Sequence, residues 1–410
     1  MEGQKQIVVR SFTSNKANAP LHPLIADKIL LESDFSVEND VPIGVGGCSS
    51  VYVGKFQERL VAVKRYSIAN PELSPAREML LKEAETILRL DHINIIKCFG
   101  VCLKRGCLVL ELSQITISKD DNDNLTLNSL RQLLDVAGDA IESEVELKRD
   151  ALLQILKGLQ YLHSKSIVHG DLKSANVLVS QREGSEGYLF KLTDFGGSHA
   201  QISSKIMSNI SSISSKKVKP GTTFFEAPEV FTDYEKTCAS DVYSFGMVVY
   251  ELLYYRYSHP WESVFKQVNP IALASLIIGA VQLGKRPTIE ERSPYTDTIE
   301  LCWQHNPADR PSVASLNLKI QNVEVLELLI SCYKVKLQFF YFFQMDVTSY
   351  GDISSTFIFC DQKARFSACC MSPPLVMFAG HSLHRPIYNP VFNREIKKKC
   401  KIYGLFNVNF

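Results

Sequence analysis

The feature that most constrains the fold of this chain is a pair of apolar segments that are each interrupted by acidic and polar residues. Residues 167–179 read IVHGDLKSANVLV, and residues 190–196 read FKLTDFG. Large apolar and β-branched residues flank the polar part of each segment, which predicts buried strands with polar turns. Two carboxylates and an amide at this spacing are unusual as loop surface, so Asp171, Asn176 and Asp194 are expected to form one site.

These residue types suit the transfer of a phosphoryl group. Such a reaction needs in-line positioning, neutralised phosphate charge and an acceptor for the hydroxyl proton, but little covalent chemistry from the protein. Asp171 fits the proton acceptor, and Lys173 can stabilise the transferred phosphate. Asp194 and Asn176 offer the hard oxygen ligands that Mg²⁺ prefers.

A glycine-rich segment precedes this pair along the chain. Ile43, Gly44 and Gly46 open a run that ends at Val51. Glycine lets a strand–turn–strand backbone approach a phosphate closely, where a Cβ atom would clash. On its own the run is equally typical of an ordinary glycine-rich hairpin, so its meaning depends on the neighbouring strand and helix.

That strand and helix carry two charged residues. Residues 61–64 read VAVK, a predicted strand that ends in Lys64 one strand beyond the glycine-rich run. Its ammonium group can reach the α- and β-phosphates of a nucleotide. Glu83 is on the predicted helix after this strand, at a sequence distance that fits an ion pair with Lys64. Either residue alone would be interpreted as ordinary solvated surface.

The chain as a whole predicts an α+β fold with a β-rich part followed by a larger helical part and a cleft between them. Residues 117–124 are polar and acidic, and we expect them to form a surface insertion. The predicted strands are residues 51–53, 60–64, 95–98 and 108–110. The predicted helices are residues 75–90, 144–163, 239–255, 271–279 and 312 to about 329.

Taken together, these motifs resemble the eukaryotic protein kinase family over roughly residues 35–325. Residues 227–229 are similar to the family's APE triplet, and residues 240–246, SDVYSFG, resemble the start of its central buried helix. Residues 302–303 and 310–311, CW and RP, resemble the helix near the end of the domain. The resemblance implies an enzyme that uses ATP and Mg²⁺ to phosphorylate protein substrates.

The same resemblance implies a two-lobed kinase fold. A β-rich N-terminal lobe with one regulatory helix would span about residues 35–112, and a larger helical C-terminal lobe about residues 113–325. Arg310 is implied to pair with Glu229 in the interior, and Asp241 is implied to hold the backbone of the catalytic loop. Both would be buried charges that need their partners.

The resemblance also implies roles for individual residues. Asp171 and Lys173 would be catalytic, and Asn176 and Asp194 would bind the metal ion. Adenine would lie between apolar side chains from the two lobes and hydrogen-bond to the segment from Glu111 to Ser113. The implied ATP-binding residues are Ile43, Gly44, Gly46, Val51, Ala62, Lys64, Glu83, Glu111, Ser113 and Leu178.

Details of the motifs favour serine and threonine as acceptors. Lys173 in the catalytic loop and Gly221-Thr222 before the APE-like triplet resemble the Ser/Thr pattern, although dual specificity stays open. The central helix and the CW and RP elements resemble the tyrosine-kinase-like group. Gly170 stands where the family usually has the arginine that receives an activation-loop phosphate, so the chain resembles the non-RD type.

Two departures from the family pattern support a different hypothesis, a pseudokinase that acts as a nucleotide-binding scaffold or allosteric partner. Ser49 replaces the third glycine of the loop, and Gly170 replaces the catalytic-loop arginine. The residues that oppose this hypothesis, because pseudokinases usually lose one of them, are Lys64, Glu83, Asp171, Asn176 and Asp194. The serine-rich residues 203–215 are either a polar loop or sites of autophosphorylation.

Composition adds few constraints on partners and location. The net charge of +1 gives no electrostatic reason to expect nucleic acid, and we expect no membrane partner. The 11 cysteines show no CxxC spacing, so we expect reduced thiols and a cytoplasmic location. Residues 1–34 are expected to be an N-terminal extension and residues 326–410 a C-terminal extension of unknown structure. The oligomeric state and the physiological substrate stay open.

Overall fold

The computed structural model describes residues 21–323, apart from residues 48, 68–74, 121–122, 143–144, 185–186, 201–221, 234 and 255. The strands are β1 Phe35–Val37, β2 Gly44–Val45, β3 Ser49–Phe56, β4 Arg59–Tyr66, β5 Cys98–Cys102, β6 Cys107–Glu111, β7 Ile115–Asp120, β8 Asp123–Leu127, β9 Ile167–Val168, β10 Val177–Gln181, β11 Tyr188–Leu192 and β12 His199–Ala200. The helices are α1 Pro23–Ala26, α2 Pro75–Ile87, α3 Leu130–Glu142, α4 Val145–Ser164, α5 Pro228–Thr232, α6 Cys238–Leu253, α7 Pro270–Gln282, α8 Thr296–Cys302 and α9, residues 313–323.

The first sheet is antiparallel and positions the glycine-rich run beside Lys64. Its strand order is β1–β3–β4–β6–β5, and β2 also pairs with β3. Gly44 pairs with Val51, which in turn pairs with Lys64 on β4. On α2, Leu80 and Ala84 are fully buried in the core, one helical turn apart, so the apolar face of this helix packs inward. The predicted β-rich lobe with one helix is therefore present.

One predicted strand is displaced. The apolar run at residues 95–98 predicts a strand there, but β5 begins only at Cys98. Ile95 and Ile96 are buried outside this sheet, and the backbone N–H of Ile96 donates to Leu192 O at 3.0 Å. These two residues therefore connect the end of α2 to β11 of the helical lobe instead of extending β5.

Residues 21–34 of the predicted N-terminal extension pack on the sheet and on α2. Ile25 of α1 is buried in the same core as the apolar face of α2. The segment after α1 lies alongside β5: Leu30 N donates to Val101 O, and Val101 N donates to Lys28 O, each at 2.9 Å. A Cβ atom at Gly100 would lie 2.6 Å from Lys28 O, so this close approach requires glycine.

The expected surface insertion is the hairpin β7–β8. Its polar composition gave no indication of paired strands, but Ile115 pairs with Leu127 at the base of the hairpin. Both of these residues are buried. The hairpin is therefore anchored by apolar side chains at the point where the sheet leads into the helical lobe.

The C-terminal lobe is built around α6. This helix begins at a capping box between Thr237 and Ser240, and nearly all of its residues are buried. A Cβ atom at Gly246 would lie 2.5 Å from Cys302 Cβ, which shows how closely α6 and α8 pack. No helix in the described part of the chain is long and apolar enough to cross a membrane.

The implied pair between Arg310 and Glu229 is present in this lobe. Arg310 Nη1 and Nη2 donate to the two carboxylate oxygens of Glu229 at 2.6 and 2.8 Å. Arg310 also donates from Nη1 to Ala239 O at 2.9 Å, next to the start of α6. This bidentate pair therefore joins the APE-like segment to the segment after α8 and to α6.

Candidate active site

Lys64 lies at the centre of a buried ion cluster. Its Nζ donates to both carboxylate oxygens of Glu83 at 2.8 Å and to Asp194 Oδ1 at 2.9 Å. Lys64 is 7% and Glu83 1% exposed. Burial alone would lower the pKa of Lys64, but the two carboxylates outweigh it and raise this pKa overall. The ammonium group therefore keeps its charge at the junction of β4, α2 and the segment after β11.

Tyr66 is a second hydrogen-bond donor to Glu83. It shares a face of β4 with Lys64, because alternate residues of a strand point the same way. Its buried hydroxyl donates to Glu83 Oε2. Burial, followed by the negative charge of Glu83, raises the pKa of Tyr66, so the hydroxyl stays protonated. Glu83 is thus held by an ammonium group and a hydroxyl group together.

Asp194 is directed at Lys64 by the turn after β11. Asp194 has φ of 63°, in the left-handed region, which an aspartate tolerates better than most residues. The next residue, Phe195, is buried, and its ring centroid lies 5.3 Å from that of His169. The anchored phenylalanine fixes the turn, while 38% of the Asp194 side chain remains exposed to a ligand.

The predicted catalytic-loop residues contact one another directly. Asn176 Nδ2 donates to Asp171 O at 2.7 Å and to Asp171 Oδ2 at 3.2 Å. Lys173 Nζ lies 3.3 and 3.5 Å from the two carboxylate oxygens of Asp171. Thr193 N donates to Asn176 O at 3.1 Å, which joins this loop to the segment that carries Asp194. The two interrupted apolar segments of the sequence therefore meet in one place.

Asp241 of α6 holds the backbone of the catalytic loop, as the resemblance implied. Its Oδ2 accepts from His169 N at 2.8 Å, and its Oδ1 accepts from Gly170 N at 2.9 Å. His163 Nε2 lies 2.9 Å from Oδ2 of the same carboxylate. Burial opposes protonation of His163, but its hydrogen bond to Asp241 and the charge of this carboxylate raise the pKa of His163 to about 9. A protonated histidine therefore balances the charge of the buried aspartate.

His169 is neutral and links the two motifs through its ring. Burial lowers its pKa. The Nδ1 atom accepts from Asp171 N at 3.3 Å, and Nε2 is 3.1 Å from Thr193 O. These two contacts fit a single tautomer, in which Nε2 carries the proton and donates it to the carbonyl. The ring thereby sets the backbone next to Asp171.

The residues predicted to contact adenine come from both lobes. Val51 and Ala62 lie on β3 and β4, whereas Leu178 lies on β10. Asn128 connects these parts of the chain: its Nδ2 donates to Ile43 O at 3.4 Å, and its carbonyl accepts from Val179 N at 3.0 Å. The glycine-rich hairpin itself is closed by Gly46 N donating to Ser49 O at 2.8 Å. Asn128 therefore links Ile43, which directly precedes Gly44, to β10.

The segment predicted to hydrogen-bond adenine comes directly after β6. Glu111 Oε2 accepts from Lys191 Nζ at 2.9 Å and from Lys97 N at 3.2 Å, so this side chain is held in place by charge. Ser113 is buried, and its Oγ has no hydrogen-bond partner among the described residues. A buried hydroxyl without a partner is costly unless a ligand or water satisfies it.

These residues fit ATP and Mg²⁺. The carboxylate of Asp194 and the amide oxygen of Asn176 are hard ligands, and Mg²⁺ takes its remaining ligands from phosphates and water. In the described residues, no group of three or more His, Cys, Asp and Glu side chains could hold a metal ion. A Mg²⁺ site that is completed by the phosphates needs no such group. The Lys64 ammonium suits the phosphates, and the Ser113 hydroxyl suits a polar ligand edge.

Comparison with known proteins decides the family. The family model described as "Protein kinase domain" matches residues 37–319, which is well over half of the chain. This chain belongs to the protein kinase family. The β-rich first lobe, the helical second lobe and the Lys64 cluster are the features of this kinase domain that position the site.

Several curated kinases are similar to this kinase domain. It is 28% identical to Serine/threonine-protein kinase STY17 of Arabidopsis thaliana over 295 residues, which is 70% of this chain and 44% of that protein. It is 30% identical to Mitogen-activated protein kinase kinase kinase 10 of Xenopus laevis over 306 residues, 72% of this chain and 27% of that protein. It is 28% identical to Dual specificity protein kinase zakA of Dictyostelium discoideum over 295 residues, 68% and 34% respectively. The chain thus spans less than half the length of these relatives.

Two residues of this kinase site were not predicted from the sequence. Tyr66 comes two positions after Lys64 in a buried strand, so strand alternation could have placed its hydroxyl beside the same helix. His163 is near the end of α4, and nothing in the sequence connects it to Asp241. The serine-rich residues 203–215 lie outside the described residues, so the prediction of a polar loop or of autophosphorylation sites stays a prediction.

Proposed function

We propose that this chain is an active kinase that uses ATP and Mg²⁺ to phosphorylate serine and threonine residues of protein substrates. The observation that carries this proposal is the contact of Asn176 with Asp171 at 3.2 Å, in a loop that Thr193 N joins to the segment of Asp194 and the Lys64 cluster. Asp171 and Asn176 add a proton acceptor and a second metal ligand, which nucleotide binding alone does not need. The site thus contains a group for each task of phosphoryl transfer.

In the proposed reaction, the residues of this site position the reactants and handle one proton. Asp171 orients the acceptor hydroxyl and takes its proton, and Asn176 keeps the Asp171 carboxylate in place through the 3.2 Å contact. Lys64 holds the phosphates of ATP, and Lys173 stabilises the transferred group. Asp194 and Asn176 would hold Mg²⁺, which neutralises phosphate charge when it is bound.

The acceptor hydroxyl and the biological setting are the finer parts of the proposal. Serine and threonine are favoured by Lys173 in the catalytic loop and by the names of STY17 and related proteins, while zakA is named as a dual specificity kinase. The motifs resemble the tyrosine-kinase-like group, and Gly170, at the position of the usual arginine, supports the proposal of a non-RD type. We further propose a cytoplasmic location and a role in intracellular signalling.

A pseudokinase is the second candidate, and two residues favour it. Ser49 and Gly170 occupy positions where the family usually has a glycine and an arginine. In that case the site would bind ATP without transferring phosphate, and the chain would act as a nucleotide-binding scaffold or allosteric partner of another protein. The Lys64 cluster alone serves both candidates, so only a transfer measurement separates them.

The test is a transfer assay on the full-length chain. The protein is incubated with γ-³²P-labelled ATP, Mg²⁺ and three peptide libraries whose only acceptor is serine, threonine or tyrosine. Incorporation into the serine and threonine libraries that stops on chelation of Mg²⁺ is the expected result. ATP binding without incorporation would support the pseudokinase, and incorporation into tyrosine alone would refute the Ser/Thr assignment. Asp171→Asn, purified in parallel, shows whether a contaminating kinase contributes.

A further inference from the structure

Lys236 contacts the catalytic loop from the segment just before α6. Its Nζ donates to the backbone carbonyl of Gly170 and to Glu226 Oε1, the latter at 2.9 Å. The Lys236 side chain is 25% exposed and the Glu226 side chain 20%, so the pair is mostly shielded from water. Neither residue belongs to the predicted site, and neither contact could be predicted from the motifs.

The acceptor carbonyl belongs to the peptide group that joins Gly170 to Asp171. A hydrogen bond to this oxygen fixes the orientation of that peptide plane, and the plane carries the Asp171 N–H. The Asp171 N–H in turn donates to His169 Nδ1 at 3.3 Å. Lys236 therefore acts on the backbone immediately before the proposed proton acceptor.

Asp241 of α6 and Lys236, which lies just before α6, together hold the loop at three successive peptide groups. Asp241 accepts from the N–H groups of His169 and Gly170, and Lys236 donates to the carbonyl of Gly170. Lys236 directly precedes Thr237, the residue that caps α6, and Asp241 lies in the first turns of this helix. One anionic and one cationic side chain, five positions apart in the chain, therefore hold the backbone of the loop.

Gly170 leaves the room that this contact occupies. Its φ is +73°, and a Cβ atom there would lie 3.2 Å from Lys236 Cδ and 2.7 Å from Gly197 O. The methylene stem of Lys236 therefore packs against the glycine while its ammonium group reaches the carbonyl. Because Gly170 has no side chain, the Lys236 stem can pass close enough for its ammonium group to reach the carbonyl.

Glu226 extends the contact to the segment that ends at residues 227–229. It stands directly before Ala227, which is fully buried, and directly after Phe225, which is also buried. The Lys236 ammonium accordingly joins the catalytic loop to a fixed point in this segment. Both charges come from the chain itself, so the connection needs no added phosphate group.

We propose that Lys236 is a positioning residue, which with Glu226 holds the Gly170–Asp171 peptide in the orientation that the proposed kinase reaction needs. This inference rests on the proposed function for its catalytic consequence, but the contact itself is testable without any activity. Lys236 does not touch the reacting atoms. It acts through the backbone that carries Asp171.

The test compares three variants of the full-length chain. Lys236→Met removes the charge and the donors, Lys236→Arg keeps both, and Glu226→Gln removes only the partner charge. Lys55→Met is the matched control, because Lys55 forms a 2.7 Å pair with Glu58 on the exposed turn between β3 and β4. Hydrogen exchange of the fragment covering residues 167–173 is measured by mass spectrometry, together with kcat and the KM for ATP.

Lys236→Met is expected to raise exchange in residues 167–173 at least about tenfold, the effect of losing one hydrogen bond to a charged group. Glu226→Gln is expected to have a smaller effect in the same direction, while Lys236→Arg and Lys55→Met stay within about twofold of the wild type. In the active enzyme kcat falls as exchange rises, and the KM for ATP is unchanged.

Exchange in Lys236→Met that equals the wild type would overturn the inference. So would a loss of kcat that Lys236→Arg fails to rescue, because that result would mean a purely steric role. If the wild type transfers no phosphate, the proposed function fails, while the exchange measurement still decides whether Lys236 holds the loop. If Lys236→Met does not fold, Glu226→Gln provides the same comparison.

Discussion

Replacing Tyr66 with phenylalanine removes one hydroxyl group from the buried cluster around Glu83 and leaves the ring in place. The lost contact is a hydrogen bond to a charged group at a site where Tyr66 is only 4% exposed, so water does not replace it. Such a bond contributes about 1.5–3 kcal/mol. Lys64 still donates to both oxygens of Glu83, so we expect α2 to remain paired but to separate from Lys64 more often.

The expected consequence is a larger fraction of molecules in which α2 is open. A change of about 2 kcal/mol alters an opening equilibrium by a factor of roughly 30, and hydrogen exchange of the α2 amides should rise by about that factor. The KM for ATP should rise as well, because the orientation of Lys64 depends on Glu83. Tyr254→Phe is the matched control, since its hydroxyl donates to Glu291 O at 2.6 Å far from this cluster. Exchange within about twofold of the wild type in Tyr66→Phe would refute the reasoning.

Three further predictions concern stability. The pKa of His163 is raised to about 9 from an ordinary 6.5, so protonated His163 stabilises the fold by at most about 3 kcal/mol, fully below about pH 6.5 and progressively less as the pH rises through 9. Urea unfolding measured against pH should show this loss of stability, and the pH dependence should be absent in His163→Gln. Arg310→Met leaves the Glu229 carboxylate, whose side chain is only 13% exposed, without its partner and should cost about 3–5 kcal/mol, less than additively with Glu229→Met in a double-mutant cycle. Gly100→Ala should displace residues 28–30 from β5 and speed their proteolysis, with the rest of the fold intact; an unchanged cleavage rate would contradict the packing described.

The contacts that the sequence predicted correctly are those that need fixed residue types at fixed spacing. Lys64 and Glu83 were paired from their positions on a strand and on the next helix, and the resemblance implied the Arg310–Glu229 pair. Asp171 and Asp194 were expected at one site because their motifs repeat an apolar–polar pattern. In each case the chemistry of charge in a buried position leaves few alternatives.

The contacts that the sequence did not predict depend on the path of the backbone. The Lys236 contact with Gly170 requires a left-handed glycine and a particular turn before α6, and neither is encoded by a local pattern. The polar and acidic residues 117–124 were interpreted as a loop, although Ile117 pairs with Leu125 in the hairpin β7–β8. Ile95 and Ile96 have the composition of a strand, but long-range packing places them beside β11.

The central claim is that Asp171, held beside the Lys64 cluster, accepts the proton of a protein hydroxyl during phosphate transfer. The most direct test measures transfer and ATP affinity on the same preparations of wild type and Asp171→Asn. We predict that transfer falls by about 10²- to 10⁴-fold while the affinity for ATP is unchanged, because asparagine keeps the shape but cannot take the proton. Equal transfer by the two proteins, or ATP binding by the wild type without any transfer, would contradict this claim.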